Sequence, residues 1–322
     1  MFLEWFKKLG PEGKTWFALC LASVFLFSFA FTAGVPAQFP VGGMISIPEG
    51  ATLFEIAEIL KRENVISSEK VYALLVNFIG DEQVIAGTYF FEKRLNLFSI
   101  VKRTIRGDYN VSVKRLTFPE GMSIVKMAAL CEETLFGCTQ EEFIKSADGK
   151  EGFLFPDTYF FMPGTSAQSV VEAMEKNFER KITEIEPLIE KFGKPLSEVL
   201  TMASILEGEA RRLDDRRAIA GILWKRIEID MPLQVDYVFD YIIGRTTFEL
   251  TLDDLKVDSP YNTYTNKGLP PTPVGNPGLE SIKAAITPIK SDFLYYLTGH
   301  DGKFYYSKTF EGHLANKAKH LR

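Results

Sequence analysis

The apolar and polar positions along this 322-residue chain change character several times. From Thr15 to Pro48 no residue is charged. Within that stretch "TWFALCLASVFLFSFAFTAGV", Thr15 to Val35, is apolar on every side. That is enough to cross a bilayer as a helix of about 20 residues. The pattern then turns to short alternating runs followed by apolar spacings of three and four, and it does so twice. "ISIPEGATLFEIAEIL" (Ile45 to Leu60) returns as "LTFPEGMSIVKMAALC" (Leu116 to Cys131). Each copy predicts a strand, a Pro-Glu-Gly turn, a Ser/Thr cap and an amphipathic helix. Thr52 with Glu55 three residues on is the expected cap of the first helix, and Ser123 that of the second. Between the copies, "SEKVYALLVNFIG" predicts a helix, "IAGTYFFEKRLNLFSIVKRTIRGD" a strand and a helix ending near Gly107, and "YNVSVKRLTF" a strand.

After Gly149 aromatic residues and prolines enter, in "EGFLFPDTYFFMPG". A polar amphipathic helix is expected from about Ser169 to Phe192. "PLSEVLTMASILEGEA" predicts a helix with an apolar stripe of Leu196, Val199, Ala203, Leu206 and Ala210. "DDRRAIAGILWKRIEI" predicts another, capped by Asp214 or Asp215. A long Pro/Gly/Asn/Tyr loop leads into a further helix, and "FLYYLTGHDGKFYYSKTF" predicts a hairpin about Asp301-Gly302. The fold class is α+β: a single N-terminal transmembrane helix, small α/β modules and a mixed α+β domain. The boundaries expected are a cytoplasmic arm 1–14, the span 15–35, a repeat-bearing region 43–148 and a C-terminal domain 149–322.

Charge orients the span. Lys7, Lys8 and Lys14 precede it and the first charge after it is Glu49, which places the arm in the cytoplasm and the rest outside. A cleaved signal peptide is the competing reading, with Val35 to Ala37 as its processing site, but the run exceeds the usual apolar core of about 7–15 residues. The net charge of −5 argues against nucleic acid as a partner. Of the three cysteines, Cys20 lies in the span, while Cys131 and Cys138 lie in the external part. If the chain turns at Gly137 they are disulfide candidates; otherwise they are two buried thiols. His300, His313 and His320 accompany no ligand cluster, so no metal site is expected.

Phosphate loops, nucleophile elbows and zinc-protease motifs are absent from the sequence, which leaves carboxylates. Glu207 and Glu209 stand on either side of Gly208. With Val199 at 0°, they fall at about +80° and about −80°, on opposite flanks of the buried stripe. Each is open to partial desolvation, which suits a general acid, or to pairing with Arg211, Arg212, Arg216 or Arg217, which does not. Periodicity does not choose between them. The loop "SPYNTYTNKGLPP" interleaves Tyr261, Asn262, Thr263, Tyr264 and Asn266, groups suited either to a sugar or to a packed surface turn. Gln234 and Asp236 are polar positions inside an apolar run.

Together these stretches resemble the YceG-like endolytic murein transglycosylases. The shared residues are "ASILEGE" (Ala203 to Glu209), Leu233 to Asp236 as Leu-Gln-x-Asp, Ser259 to Pro271, Asn276-Pro277-Gly278 and "EGFLFPDTYFF". The repeat-bearing region 43–148 resembles LysM-like glycan-binding modules, against the plainer reading of a duplicated structural unit without a ligand. The chain departs from the family pattern at Ala210, where Thr or Ser is common, and at Tyr237-Val238-Phe239-Asp240 after the Leu-Gln-x-Asp segment.

The resemblance implies an enzyme of the inner membrane that cuts the β-1,4 bond between N-acetylmuramic acid and N-acetylglucosamine without water, leaving 1,6-anhydro ends. It makes Glu209 the catalytic acid and base. Glu207, Gln234 and Asp236 become supporting residues, and Tyr261, Asn262, Thr263, Tyr264 and Asn276 substrate contacts. It implies peptidoglycan glycan strands and the cell-wall synthesis machinery as partners, and no cofactor. A non-catalytic wall anchor and a muramidase-type hydrolase are the alternatives.

Overall fold

The computed structural model describes residues 10, 12–13, 15–17, 19, 23, 34–79, 83–111 and 113–321. The run 15–35 expected to span a membrane lies mostly outside these residues, as do Lys7, Lys8, Lys14 and Cys20. Among the described residues no helix is long and apolar enough for a span. The chain divides into two compact units: Met1–Val113 with Met162–Gly164, and Lys114–Phe161 with Thr165–Arg322.

In the first unit β1 (Gly43–Ile47) pairs antiparallel with β2 (Gly87–Phe91), with Ile45 opposite Tyr89. Two helices lie between them, α1 (Leu53–Arg62) and α2 (Glu69–Ile79), and α3 (Leu97–Arg106) comes after β2. Thr52 and Glu55 form the expected capping box: the Glu55 N–H donates to Thr52 Oγ1, and the Thr52 N–H donates back to the Glu55 carboxylate. Gly107 ends α3 in the left-handed conformation that glycine adopts without steric cost. Ile45, Ile47, Ile56, Leu60, Tyr89 and Phe91 are buried in this unit's core.

The second unit opens with the same plan. β3 (Lys114–Thr117) is succeeded by α4 (Ile124–Thr134), α5 (Gln140–Ser146) and β4 (Thr158–Phe161), and β3 pairs antiparallel with β4. Leu116 lies opposite Tyr159, as Ile45 lies opposite Tyr89. Thr88–Phe91 and Thr158–Phe161 both read "TYFF", so the repeat is a whole strand–helix–helix–strand unit rather than its first half. The second copy therefore needs β4, which is why residues 114–148 belong to the same compact unit as the C-terminal helices. Cys131 and Cys138 are joined in a disulfide, Cα–Cα 5.8 Å, between α4 and the turn before α5. Ser123 stands at the cap position of α4 but makes no side-chain cap bond; the Glu151 carboxylate accepts the Ile124 N–H instead, at 3.2 Å.

The single helix expected over 169–192 is two, α6 (Ala167–Thr183) and α7 (Glu186–Phe192), with proline in the first turn of α7. α8 (Leu196–Glu209) is buried on every side from Val199 to Leu206. It packs in one core with α9 (Leu213–Glu228) and α11 (Leu279–Ile286). The Trp224 Nε1–H donates to the Ala285 carbonyl at 2.9 Å, satisfying the buried indole. Arg212, not Asp214 or Asp215, occupies the cap position of α9; the two aspartates lie in its first turn, where negative charge complements the helix dipole. Short α10 (Val238–Ile243) precedes the long loop. β5 (Tyr295–Thr298) and β6 (Phe304–Ser307) form the expected hairpin, and α12 (Phe310–His320) closes the unit. The fold is α+β, its described strands paired in small two-stranded sheets.

Candidate active site

α8 stops at Glu209 because Ala210 turns extended, at φ −151° and ψ 153°. The last helical turn presents Glu207 and Glu209 on opposite sides. Gly208 between them is required by close packing: a Cβ there would come within 2.0 Å of the Tyr237 ring.

The Glu207 flank is closed. Its side chain is 5% exposed, and one oxygen pairs with the equally buried Arg216. The other oxygen accepts the Gly278 N–H at 2.8 Å. Arg216 also donates to the Ala210 carbonyl at 2.7 Å, so the pair ties the end of α8 to α9 and to the start of α11. A buried carboxylate so arranged holds structure, since its charge is compensated and both oxygens are occupied.

The Glu209 flank opens on a cleft of about 1050 Å³, whose walls include Arg226, Gln234, Asp236, Tyr264 and Tyr296. Glu209 Oε2 accepts the Tyr296 hydroxyl at 2.8 Å. Among the described residues it forms no ion pair; Arg212 reaches toward Asp215 at 4.0 Å instead. Burial pushes the Glu209 carboxyl up to about 7. The Tyr296 hydrogen bond opposes this, the charge of Asp236 adds to it, and the Tyr237 backbone N–H and the Arg226 charge oppose it more weakly. A carboxyl titrating near neutrality can both give and take a proton.

Around it the walls are braced. The Tyr264 hydroxyl donates to Asp236 Oδ1 at 2.5 Å. Gln234 is held at φ 49°, a conformation uncommon for a side-chain-bearing residue, and its side chain is exposed on the cleft wall. The Gln234 N–H donates to the Thr263 carbonyl at 3.0 Å, and the Val235 N–H to Thr263 Oγ1 at 2.9 Å. Arg226 is buried and donates to the carbonyls of Leu233 at 2.6 Å and Leu294 at 2.7 Å, with its guanidinium 5.3 Å from the Tyr295 ring centre. It thus ties α9, the Leu233–Asp236 segment and β5 around one carboxyl.

The sequence profile of the YceG-like family matches residues 45–319. The chain belongs to the YceG-like family. It is 32% identical to the endolytic murein transglycosylase of Bacillus subtilis strain 168, with 94% of this chain and 90% of that protein aligned. It is 28% identical to the endolytic murein transglycosylase of Streptococcus pneumoniae D39, over 86% of this chain and 58% of that protein. The crystal structure of a yceG-like protein from Listeria monocytogenes superposes with a TM-score of 0.59 at 32% identity, covering 85% of this chain and 98% of that one.

In this YceG-like chain the cleft gathers Glu209, Gln234, Asp236 and Tyr264, with Glu207 at its border. The other expected substrate contacts, Tyr261, Asn262, Thr263 and Asn276, are not on its walls. Asn262 is buried, and its amide donates to the carbonyls of Leu255 and Val257. Thr263 is buried in the pairing with Val235. The Tyr261 hydroxyl meets Thr272 Oγ1 at 2.8 Å. Asn276 is buried with its oxygen accepting the N–H groups of Gly152 and Leu154 and its amide donating to Met122 and Glu151. Asn262, Thr263 and Asn276 are thus internal hydrogen-bond partners of the scaffold, whereas the Tyr261 contact lies at the surface. Conversely, Tyr296, Arg226, Phe248 and His313 line the cleft although no sequence pattern marks them as site residues.

Proposed function

We propose that this chain is a membrane-anchored, endolytic peptidoglycan lytic transglycosylase with Glu209 as its proton carrier. The observation that supports this most is the position of Glu209: desolvated, free of an arginine partner among the described residues, and facing a cleft whose walls are polar and aromatic. The B. subtilis and S. pneumoniae relatives are named for the same activity.

In the proposed reaction protonated Glu209 donates to the glycosidic oxygen, and the bond from that oxygen to C1 of the muramyl residue breaks. The C6 hydroxyl oxygen of the same muramyl residue closes on C1, and its proton passes to the Glu209 carboxylate. The acid is regenerated, no water is consumed, and the product carries a 1,6-anhydro ring. One carboxyl acting in turn as acid and base satisfies microscopic reversibility, and the substrate supplies its own nucleophile. Between the two transfers Tyr296 and Arg226 stabilise the carboxylate, while the Asp236 charge favours return of the proton. The segment 15–35 is the proposed anchor, residues 43–148 the proposed glycan-associated region, and the cleft acts outside the cytoplasmic membrane alongside the wall-synthesis machinery.

Glu209→Gln in the full chain, assayed on purified glycan strands by mass spectrometry, is expected to lower cleavage about 100- to 10,000-fold. Near-wild-type turnover would overturn the assignment. Anhydro ends support the lytic reaction; reducing ends would make the enzyme a hydrolase, and intact strands a binding module. With Glu209 near 7, the acid form required for the first step is lost as pH rises, so cleavage falls above about pH 7.

A further inference from the structure

Residues 245–256 form a turn that is braced twice. Thr246 donates from its N–H and its hydroxyl to Glu249 Oε2, at 2.9 and 2.8 Å. Thr251 does the same to Asp254 Oδ2, at 2.8 and 2.7 Å, and Arg245 pairs with that same oxygen. Between the two partners of the first brace stands Phe248, 100% exposed and on the wall of the cleft that holds Glu209.

A lone apolar side chain on a convex surface is ordinary. Phe248 differs in two respects. The residue lines a concave site, where exposed apolar area marks ligand contact. Its backbone is also ordered in advance by neighbouring side chains, so a ligand meeting the ring has little left to immobilise. An aromatic face carries negative charge density, which suits the weakly positive C–H face of a pyranose. The cleft is also at the upper end of the size range of small-ligand pockets, about 300–1,000 Å³, leaving room for more than the sugar at Glu209.

We propose that Phe248 is a pyranose-stacking subsite of this cleft, taking a sugar ring of the glycan strand beyond the scissile linkage. The subsite rests on the lytic reading and gives that site a preference for longer strands.

The test compares Phe248→Ala, Phe248→Trp and Leu252→Ala in the full chain on long glycan strands and on tetrasaccharides. Leu252 is 80% exposed on the same turn but off the cleft wall, and serves as the control. Phe248→Ala is expected to raise KM on long strands about 3- to 10-fold and to matter less on tetrasaccharides. Phe248→Trp restores the wild-type KM, Leu252→Ala leaves it unchanged, and the melting midpoints of all three agree with wild type because neither side chain is covered. An unchanged KM in Phe248→Ala on long strands, or a loss that tryptophan does not restore, overturns the subsite. Co-sedimentation of Glu209→Gln with purified peptidoglycan, with and without Phe248→Ala, separates the two claims. If wild type cuts nothing but Phe248→Ala weakens sedimentation, the lytic reading fails and the subsite stands. If wild type cuts and sedimentation is unaffected, the subsite fails alone.

Discussion

The two strand–helix–helix–strand copies share a register and differ in what surrounds their turns. Gly50 and Gly121 hold nearly the same left-handed conformation, at φ 75° and 79°. A Cβ on Gly50 would meet nothing within 4 Å. One on Gly121 would come 2.9 Å from Tyr237 Oη and 3.3 Å from Glu207 Cγ. The Gly121 carbonyl accepts the Tyr237 hydroxyl at 3.2 Å, and its N–H donates to the Asn276 carbonyl at 2.8 Å. Glu120 beside it is pushed up by burial and by the charge of Glu207. The same turn is a surface corner in one copy and, in the other, the shelf under Glu207 and Tyr237. Duplication reproduced the local geometry; the neighbours supplied its use.

The strongest way to break this comparison is to empty the shelf. Glu207→Ala leaves Arg216 buried without its carboxylate and is expected to cost about 3–5 kcal/mol, read as a lower urea midpoint. A loss under about 1 kcal/mol would mean the pair does not hold the end of α8.

Next in size is a loss of stability with rising pH at the cap of the second copy's helix. Thr52 caps its helix with a neutral hydroxyl, whereas α4 is capped by Glu151, whose carboxyl burial pushes up to about 7. Folded protein keeps a proton that the unfolded chain releases near 4.5. The associated stability is therefore complete below about pH 4.5 and is lost as pH rises through about 7, at most about 3 kcal/mol. Glu209 and Glu120, also pushed up by burial, contribute slopes of the same sign, so Glu151→Gln should flatten the urea midpoint against pH in part; an unchanged slope would refute the cap's titration.

Smaller again is the glycine pair. Gly50→Ala carries only the left-handed backbone penalty, about 1–2 kcal/mol. Gly121→Ala adds the clash with Tyr237 and Glu207, so it should destabilise further and also slow cleavage; equal effects at both sites would erase the distinction. Least of all, Thr52→Ala should cost about 1 kcal/mol and Ser123→Ala under about 0.5, because only the first hydroxyl accepts a cap bond. Thermal midpoints of the two variants read the difference.

Much of the fold was legible because the signals were local. The capping box at Thr52, the glycine end of α3 and the hairpin about Gly302 depend on residues within a few positions of one another. The compact boundary after Val113 was not, since β3 finds its partner in β4 some forty residues on. The use of the loop around Asn262 was not legible for a related reason. Amides and tyrosines suit a sugar, but the same donors satisfy buried carbonyls, and only the packed chain shows that Leu255 and Val257 take them.

Glu207 and Glu209 draw the line most clearly. Their separation onto opposite flanks of α8 was determined by the sequence by itself, because 100° per residue is a property of the helical backbone. Which flank is closed and which is open was decided only by tertiary structure. Arg216 and Gly278 close over Glu207, while Tyr296, 87 residues away along the chain, meets Glu209 at the cleft. A carboxyl's proton affinity is set by the water it loses and the charges brought near it, and distant segments of the chain supply both.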